Sequence, residues 1–509
     1  MLSIFGGARS AHPMADIKEA RRIVAALPVS DAFGSLEEIS HWIASTQAES
    51  AFKHDHRAQL LQILDEAGQA PARKLGREYL TAARLGKQQE AKLWNAIHDF
   101  WRNSALGYAG ALDAFATGAK GAEVLKSSLP LLGVRALRAL ATQLKWLYLR
   151  YGPLEARVWV MMCRIYAFLE SKKLARNSVL VYPTSSVTST PEQEFLRAAM
   201  FSACSPGSLL PLEIEIAERL IAHCSAHFLF VVQHQADTPY WIDMALGTAP
   251  ARVARPPQPG VPLRFFGPGQ AIAEVETLLG QTRNSGQVPA ALGLGGAYPD
   301  DAVLRVLEHL EQCWSPKLPE RRHPRHRVKS RLTITWGLDG ILRVLKPTQS
   351  TDFDGTQYES WIVDNVSVGG FGALVPQVRG DWLRIGALVA MQPEGGDKWL
   401  IGVVRRLSRP AVEQAAVGIQ TLARDASPVE LRVQTGNTTS LDTEEAILLN
   451  QTQIGGEVQV LVRPGVHVPG QTFAFDFEGR PAVLLPAGVA ERGQDYELLR
   501  CRHFVRDAS

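Results

Sequence analysis

The sequence predicts a multidomain α+β protein: an N-terminal all-α helical region, then an antiparallel β-barrel, then a second C-terminal β module. Three observations carry this expectation. At 509 residues the chain is too long for one core, since domains usually hold about 100–200 residues. From about residue 15 to 175 the apolar positions recur at the three-and-four spacing of helices. After Pro319 the rhythm changes to the two-residue alternation of strands. Helices first and strands afterwards argue for separate domains over one mixed parallel sheet.

Taken in order, residues 1–14 predict a flexible tail, and 15–175 a helical bundle. Ile23, Val24 and Leu27 share one helical face, Leu36, Ile39 and Ile43 another, and Leu137, Leu140, Leu144 and Leu147 a third. Ser35 followed by Glu38 has the form of a capping box at a helix start. Trp94, Ile97 and Trp101 recur at the same spacing and are expected to fill the bundle core. The Ser-, Thr- and Pro-rich stretch 176–190 reads as a connection. It opens a region, 176–315, of further helices near Pro191, Leu212 and Val303 with a small β insertion at Phe228–Val232, Tyr240–Met244 and Leu263–Phe266. Residues 316–425 predict the barrel, with strands around Val328–Trp336, Trp361–Val363, Leu400–Val404 and Val417–Leu422. Residues 426–509 predict the C-terminal module, in which Val458, Val460 and Val462 alternate, as do Phe473, Phe475 and Phe477.

Composition narrows the function classes. Apolar residues make up 46% and charged residues 21%, as in ordinary globular proteins, and the net charge of +3 is too small for a nucleic-acid coat protein or a polybasic membrane binder. Five scattered cysteines form no C-x-x-C pair and no disulfide framework, which predicts a reducing cytoplasm. Neither a signal peptide nor a stretch of about 20 apolar residues able to cross a membrane is read from the chain.

Two segments stand out. Lys317, Arg321, Arg322, Arg325, Arg327, Lys329 and Arg331 face a single acid, Glu320, within fifteen residues. By itself that run is a solvated linker or a nucleic-acid contact. Some 40 positions later, Asp364-Asn365-Val366-Ser367-Val368-Gly369-Gly370 closes a strand with small polar residues that fill a core poorly, although a hairpin turn explains them as well.

Together the two segments resemble the R-x-x-x-R and [DN]-x-S-x-x-G motifs of the PilZ domain, the bacterial receptor for cyclic di-GMP. Arg321 and Arg325 match the first, with Arg322 as the customary neighbour; Asn365, Ser367 and Gly370 match the second, and Gly402–Arg406 and Val417–Gln420 are similar to later barrel strands of that family. The resemblance covers about residues 318–425 and implies a site for cyclic di-GMP at Arg321, Arg322, Arg325, Asp364, Asn365, Ser367, Gly369 and Gly370. The residue types suit that ligand. Arginine presents paired planar donors that match a phosphate or the O6 and N7 edge of guanine, and it also stacks on bases. Asn365 can give and accept hydrogen bonds, Ser367 can donate to a phosphate oxygen, and Gly370 permits close approach of main chain. Glu320, directly before the first motif, leaves open whether one or two nucleotides bind.

The resemblance further implies binding without turnover: no catalytic residues, no metal and no cofactor beyond the ligand, with a protein partner engaging the helical region and self-association left open. Rival readings are a PilZ-like scaffold that has lost its ligand, a nucleic-acid binder using residues 317–331, and a hydrolase of cyclic di-GMP. Lesser features point to ordinary structure. His223 and His227, four apart with His234 following, are expected to be helix-end polar groups more than a metal site; His54-Asp55-His56 is expected to be solvated; Gly293-Leu294-Gly295-Gly296 lacks a phosphate-loop pattern and reads as a turn.

Overall fold

A computed structural model of the chain describes residues 12–81, 86–255, 257, 260, 262–316, 324–346, 357–435, 438–450, 456–477 and 479–505. Two compact units divide it, Met1–Pro319 and Glu320–Ser509.

The first unit begins with six helices, α1 (Ile17–Ala25), α2 (Ala32–Ala48), α3 (His54–Thr81), α4 (Lys87–Ala116), α5 (Leu129–Leu149) and α6 (Ala156–Ser171). A short hairpin, β1 (Val179–Leu180) and β2 (Thr188–Ser189), leads to α7 (Pro191–Ala203) and α8 (Pro211–His223). Strands β3 (Leu229–Val231), β4 (Tyr240–Asp243), β5 (Ala251–Arg252) and β6 (Leu263–Gly267) form an antiparallel sheet in the order β3-β6-β4-β5, and α9 (Ala271–Ser285) and α10 (Asp300–Trp314) complete the unit. Two of the three apolar faces expected from spacing are inside, with Leu36, Ile39, Ile43, Leu137, Leu140, Leu144 and Leu147 all buried, whereas Ile23, Val24 and Leu27 are only half-buried and Leu27 lies beyond the end of α1.

Three expectations are corrected here. The capping box at Ser35 is not used, because Asp31 accepts from Gly34 N–H at 2.8 Å and starts α2 earlier; Ser35 lies in the first turn, its hydroxyl donating to Pro28 O. Ile97 and Trp101 fill the core, but Trp94 is only half-buried. His98 stacks on its ring at 4.4 Å, the Arg150 guanidinium sits 4.3 Å from its centre, and its indole N–H donates to Trp146 O, so Trp94 works as a clamp between α4 and α5. Of the tail expected over residues 1–14, residues 1–11 lie outside the described residues, and of the last three His12 and Met14 are packed. His12 meets the edges of Trp42 and Phe52, and Met14 is fully buried, its carbonyl 3.2 Å from His56 Nε2, which is therefore not simply solvated.

Charge is buried in this bundle in paired form. Arg135 on α5, 2% exposed, binds Glu66 at 2.7 Å, Val181 O at 2.9 Å and the Tyr108 hydroxyl at 3.3 Å, and lies over the Tyr182 ring. Nearby, Lys145 reaches Glu215 at 2.8 Å, while Arg138 and Arg197 share Glu194. Burial pushes the Asp65 carboxyl above the usual aspartate value even with Arg135 and Tyr108 beside it. Glu218 behaves oppositely: burial works against its charge, but Lys145, Arg197 and Arg219 outweigh that and bring it down to about 2.

The second unit contains two six-stranded antiparallel barrels, as the change of period anticipates. The first holds β7 (His326–Trp336), β8 (Glu359–Ser367), β9 (Gly370–Val375), β10 (Leu388–Pro393), β11 (Leu400–Ala411) and β12 (Gln414–Ala423), closed in the order β10-β11-β12-β9-β8-β7. A helix that the sequence reading missed, α11 (Leu338–Leu345), follows β7. The second barrel holds β13 (Ala426–Thr435), β14 (Thr438–Leu449), β15 (Glu457–Val462), β16 (Thr472–Phe477), β17 (Arg480–Arg492) and β18 (Glu497–Val505), closed in the order β13-β14-β15-β18-β17-β16. Val458, Val460, Val462, Phe473 and Phe475 fill its interior.

Only Arg424 and Asp425 separate the last strand of one barrel from the first of the next. Leu338, Ile341 and Leu342 of α11 join Leu388, Ile401 and Val403 of the first barrel and Ile447, Leu461 and Tyr496 of the second in one apolar cluster. Arg405 on β11 adds an ion pair to Glu491 on β17, with Nη1 2.7 Å from Oε1. Burial opposes the charge on Glu491, yet hydrogen bonds from Arg405 and Tyr496 hold its carboxyl below the usual glutamate value.

Candidate functional site

Arg325, the last residue of the first motif, lies close to the second motif on the first barrel. Strand β7 runs antiparallel to β8 with His326 opposite Val366 and Arg327 opposite Asn365, so Arg325, one residue upstream, stands beside the Asn365–Ser367 stretch. Along β8, Trp361 and Val363 are buried and Ile362 and Asp364 are exposed, the alternation of a strand with one face on the core. That alternation breaks at Asp364. Pairing shifts between Arg327 and Ser330 on one side and between Val363 and Asn365 on the other, a pair of bulges that twist the strand end and re-aim its side chains.

Each predicted residue then takes a definite place. Asn365 donates from Nδ2 to the Asp364 carboxylate at 2.9 Å and lies over Gly372, where a Cβ would fall 2.4 Å from that nitrogen. Ser367 donates to Gly370 O at 3.3 Å, closing the tight turn between β8 and β9. The carbonyl of Gly369 accepts from Thr421 N–H at 3.0 Å. Gly370 passes so near β12 that a Cβ would sit 2.0 Å from Ile419 O, so glycine is required by space. Arg325 is exposed, and among the described residues it has no ion-pair partner. Arg321 and Arg322 lie outside the described residues.

Beside this corner is a cavity of about 370 Å³. Val328, Leu332, Val363 and Phe371 supply apolar walls, and Ser330, Ser367, Thr421, Arg331 and Arg424 the polar groups. Ser367 alone of the predicted residues lines it, among those described; Asp364, Asn365, Gly369, Gly370 and Arg325 stand around it. Three contributors were not marked by the sequence reading as site residues. Arg331 was only one cation in a run, Gly372 has no local signature, and Arg424 belongs to neither motif.

Two family models match the chain. Residues 18–234 match the one described as Cyclic-di-GMP receptor FimW, N-terminal domain, and residues 345–428 match Cyclic-di-GMP receptor FimW, middle PilZ domain. Between them they span more than half of the sequence. The chain belongs to the PilZ-domain family of cyclic-di-GMP receptors. The match to the helices assigns a region that the sequence reading had left without a family. The PilZ match holds Asp364 to Gly370 and Arg424, whereas Arg325 and strand β7 precede it. No curated protein matches the sequence.

The competing sites are placed as well. His223 Nε2 is 2.9 Å from Glu274, with His227 at 3.9 Å from the same carboxylate, and among the described residues no group of three His, Cys, Asp or Glu side chains is arranged to hold a metal ion. Gly293 and Gly295 have φ of 54° and 74° in the turn before α10. All five cysteines are free thiols, and no described helix is long and apolar enough to cross a membrane.

Proposed function

We propose that this chain binds cyclic di-GMP at the corner formed by the start of β7, the end of β8 and the β8–β9 turn, with Arg321, Arg322, Arg325, Asp364, Asn365, Ser367, Gly369 and Gly370 as its binding residues. The observation that supports this most is the β7–β8 register, in which His326 faces Val366 and Arg327 faces Asn365, with Arg325 one residue upstream. Charge-assisted hydrogen bonds contribute roughly 1.5–3 kcal/mol each, and ordering a loop residue costs about 1–2 kcal/mol. Four or five such bonds therefore offset the ordering of a few residues and leave net affinity. Isothermal titration of the full chain with cyclic di-GMP tests the reading: Arg325→Ala is expected to weaken binding at least tenfold, about 1.4 kcal/mol. Unchanged affinity rejects it. A nucleic-acid binder would instead lose affinity steeply with salt and show no preference for the guanine dinucleotide.

The same proposal includes a switch. At the end of α10, Trp314 is fully buried, and the Tyr240 hydroxyl and Arg252 both donate to Cys313 O, so the start of the segment between α10 and β7 is anchored in the helical unit. Its other end continues into β7. Pinning the arginines onto a nucleotide would then shift the surface that the helices offer a protein partner. Small-angle scattering of the full chain is expected to change on adding cyclic di-GMP, and superimposable curves would count against the switch. The division at about residues 175, 315 and 425, a cytoplasmic location, action by binding and not turnover, and self-association belong to this same reading.

A further inference from the structure

The link between the two barrels carries groups that neither motif contains. Arg424 Nη2 donates to Val368 O at 3.1 Å, which places its guanidinium against the Ser367–Gly370 turn, and Arg424 lines the cavity together with Ser367 and Arg331. No Asp or Glu is among the described lining residues. Two guanidinium groups and three hydroxyls, those of Ser330, Ser367 and Thr421, set among Val328, Leu332, Val363 and Phe371 with no carboxylate among the described lining residues, form an environment that favours an anion.

Asn450, at the end of β14 in the second barrel, holds this link. Its side-chain oxygen accepts from Arg424 N–H at 3.2 Å, its Nδ2 donates to Leu422 O at 3.1 Å, and its own N–H donates to Asp425 O at 2.8 Å. It does so with φ of 44°, in the left-handed region that asparagine enters more readily than most residues other than glycine. The three bonds fix residues 422–425.

We infer that Arg424 is a further nucleotide-binding residue that contacts a phosphate of the ligand, and that Asn450 of the second barrel is its positioning residue. This rests on the reading of the corner as a cyclic di-GMP site, and it gives the C-terminal barrel, which neither family match reaches beyond residue 428, a part in that site. The second barrel then completes the first barrel's recognition surface through one asparagine.

Calorimetric titration of the full chain with cyclic di-GMP, beside thermal unfolding of each variant, decides the matter. Arg424→Ala is expected to bind at least tenfold more weakly with an unchanged unfolding midpoint. Arg424→Gln, which can still donate to Val368 O but carries no charge, is expected to lose as much. Asn450→Ala is expected to bind several-fold more weakly in the wild-type background and to have no further effect on top of Arg424→Ala. Wild-type affinity in Arg424→Gln would reduce Arg424 to a staple for the turn and overturn the inference. So would an Asn450→Ala effect of equal size in both backgrounds. If Arg325→Ala abolishes binding while Arg424→Ala and Arg424→Gln bind normally, the site stands and this inference falls; if the wild type does not bind, both fall.

Discussion

Replacing Gly370 with alanine is expected to destabilise the first barrel by about 3 kcal/mol and to abolish binding of cyclic di-GMP. The new Cβ would lie 2.0 Å from the backbone oxygen of Ile419 and 3.1 Å from its carbonyl carbon. Backbone cannot rotate aside as a side chain can, so the clash is relieved only by parting β9 from β12, where Gly370 pairs with Gln420. That movement carries the Ser367–Gly370 turn away from the cavity. Gly372→Ala offers the contrast. Its Cβ would meet the far end of the Asn365 side chain at 2.4 Å, and an amide can swing away, so affinity should fall while the barrel stays folded. Denaturant unfolding and calorimetric titration of the two variants separate the cases. A Gly370→Ala protein as stable as the wild type would show that β9 and β12 are not held as described.

Arg135→Ala is expected to cost the helical unit about 3–5 kcal/mol, because it removes one partner of a buried ionic group and strands the others. The guanidinium ties α3, α4, α5 and the segment after β1 together through Glu66, Tyr108 and Val181 O, with Asp65 3.7 Å away and 2% exposed. Asp65 already has a folded pKa above its unfolded value near 3.8, owing to burial. Without Arg135 that pKa rises further, so the native state increasingly prefers the neutral carboxyl. The penalty is therefore largest at neutral pH and shrinks as pH falls toward the unfolded value, where the unfolded chain takes up the same proton. Unfolding measured at pH 7 and pH 5 should show a smaller deficit at the lower pH. Equal deficits would mean that Asp65 is not the stranded charge.

The parts of this fold that were legible in the sequence are those written in local spacing. Leu137, Leu140, Leu144 and Leu147 announce α5 because a helix needs nothing beyond its own periodicity to face a core. The alternation of Phe473 and Phe475 does the same for β16. The PilZ motif was legible because Asn365, Ser367 and Gly370 sit on one strand and its turn, and strand pairing carries Arg325 to them. What escaped depends on distant partners. Arg135 and Glu66 are 69 residues apart and Lys145 and Glu215 are 70, so nothing local marks them as buried pairs. The capping box at Ser35 failed because Asp31, four residues earlier, was an equally good cap. Helix α11 was missed since Gly337 and Gly340 interrupt the short apolar run that it presents to both barrels. Arg424 and Asn450 acquire meaning only once two barrels have closed and left two residues between them.

Those two residues have a consequence for what can be cut away. Leu388, Ile401 and Val403 complete their packing with Ile447, Leu461 and Tyr496 contributed from across the junction. Severing the chain at the seam would turn both surfaces into sticky hydrocarbon facing water. The smallest portable version of this double barrel that keeps the proposed binding arginines thus runs from residue 321 to the end of β18, and its two barrels must be inherited, expressed and melted as a pair.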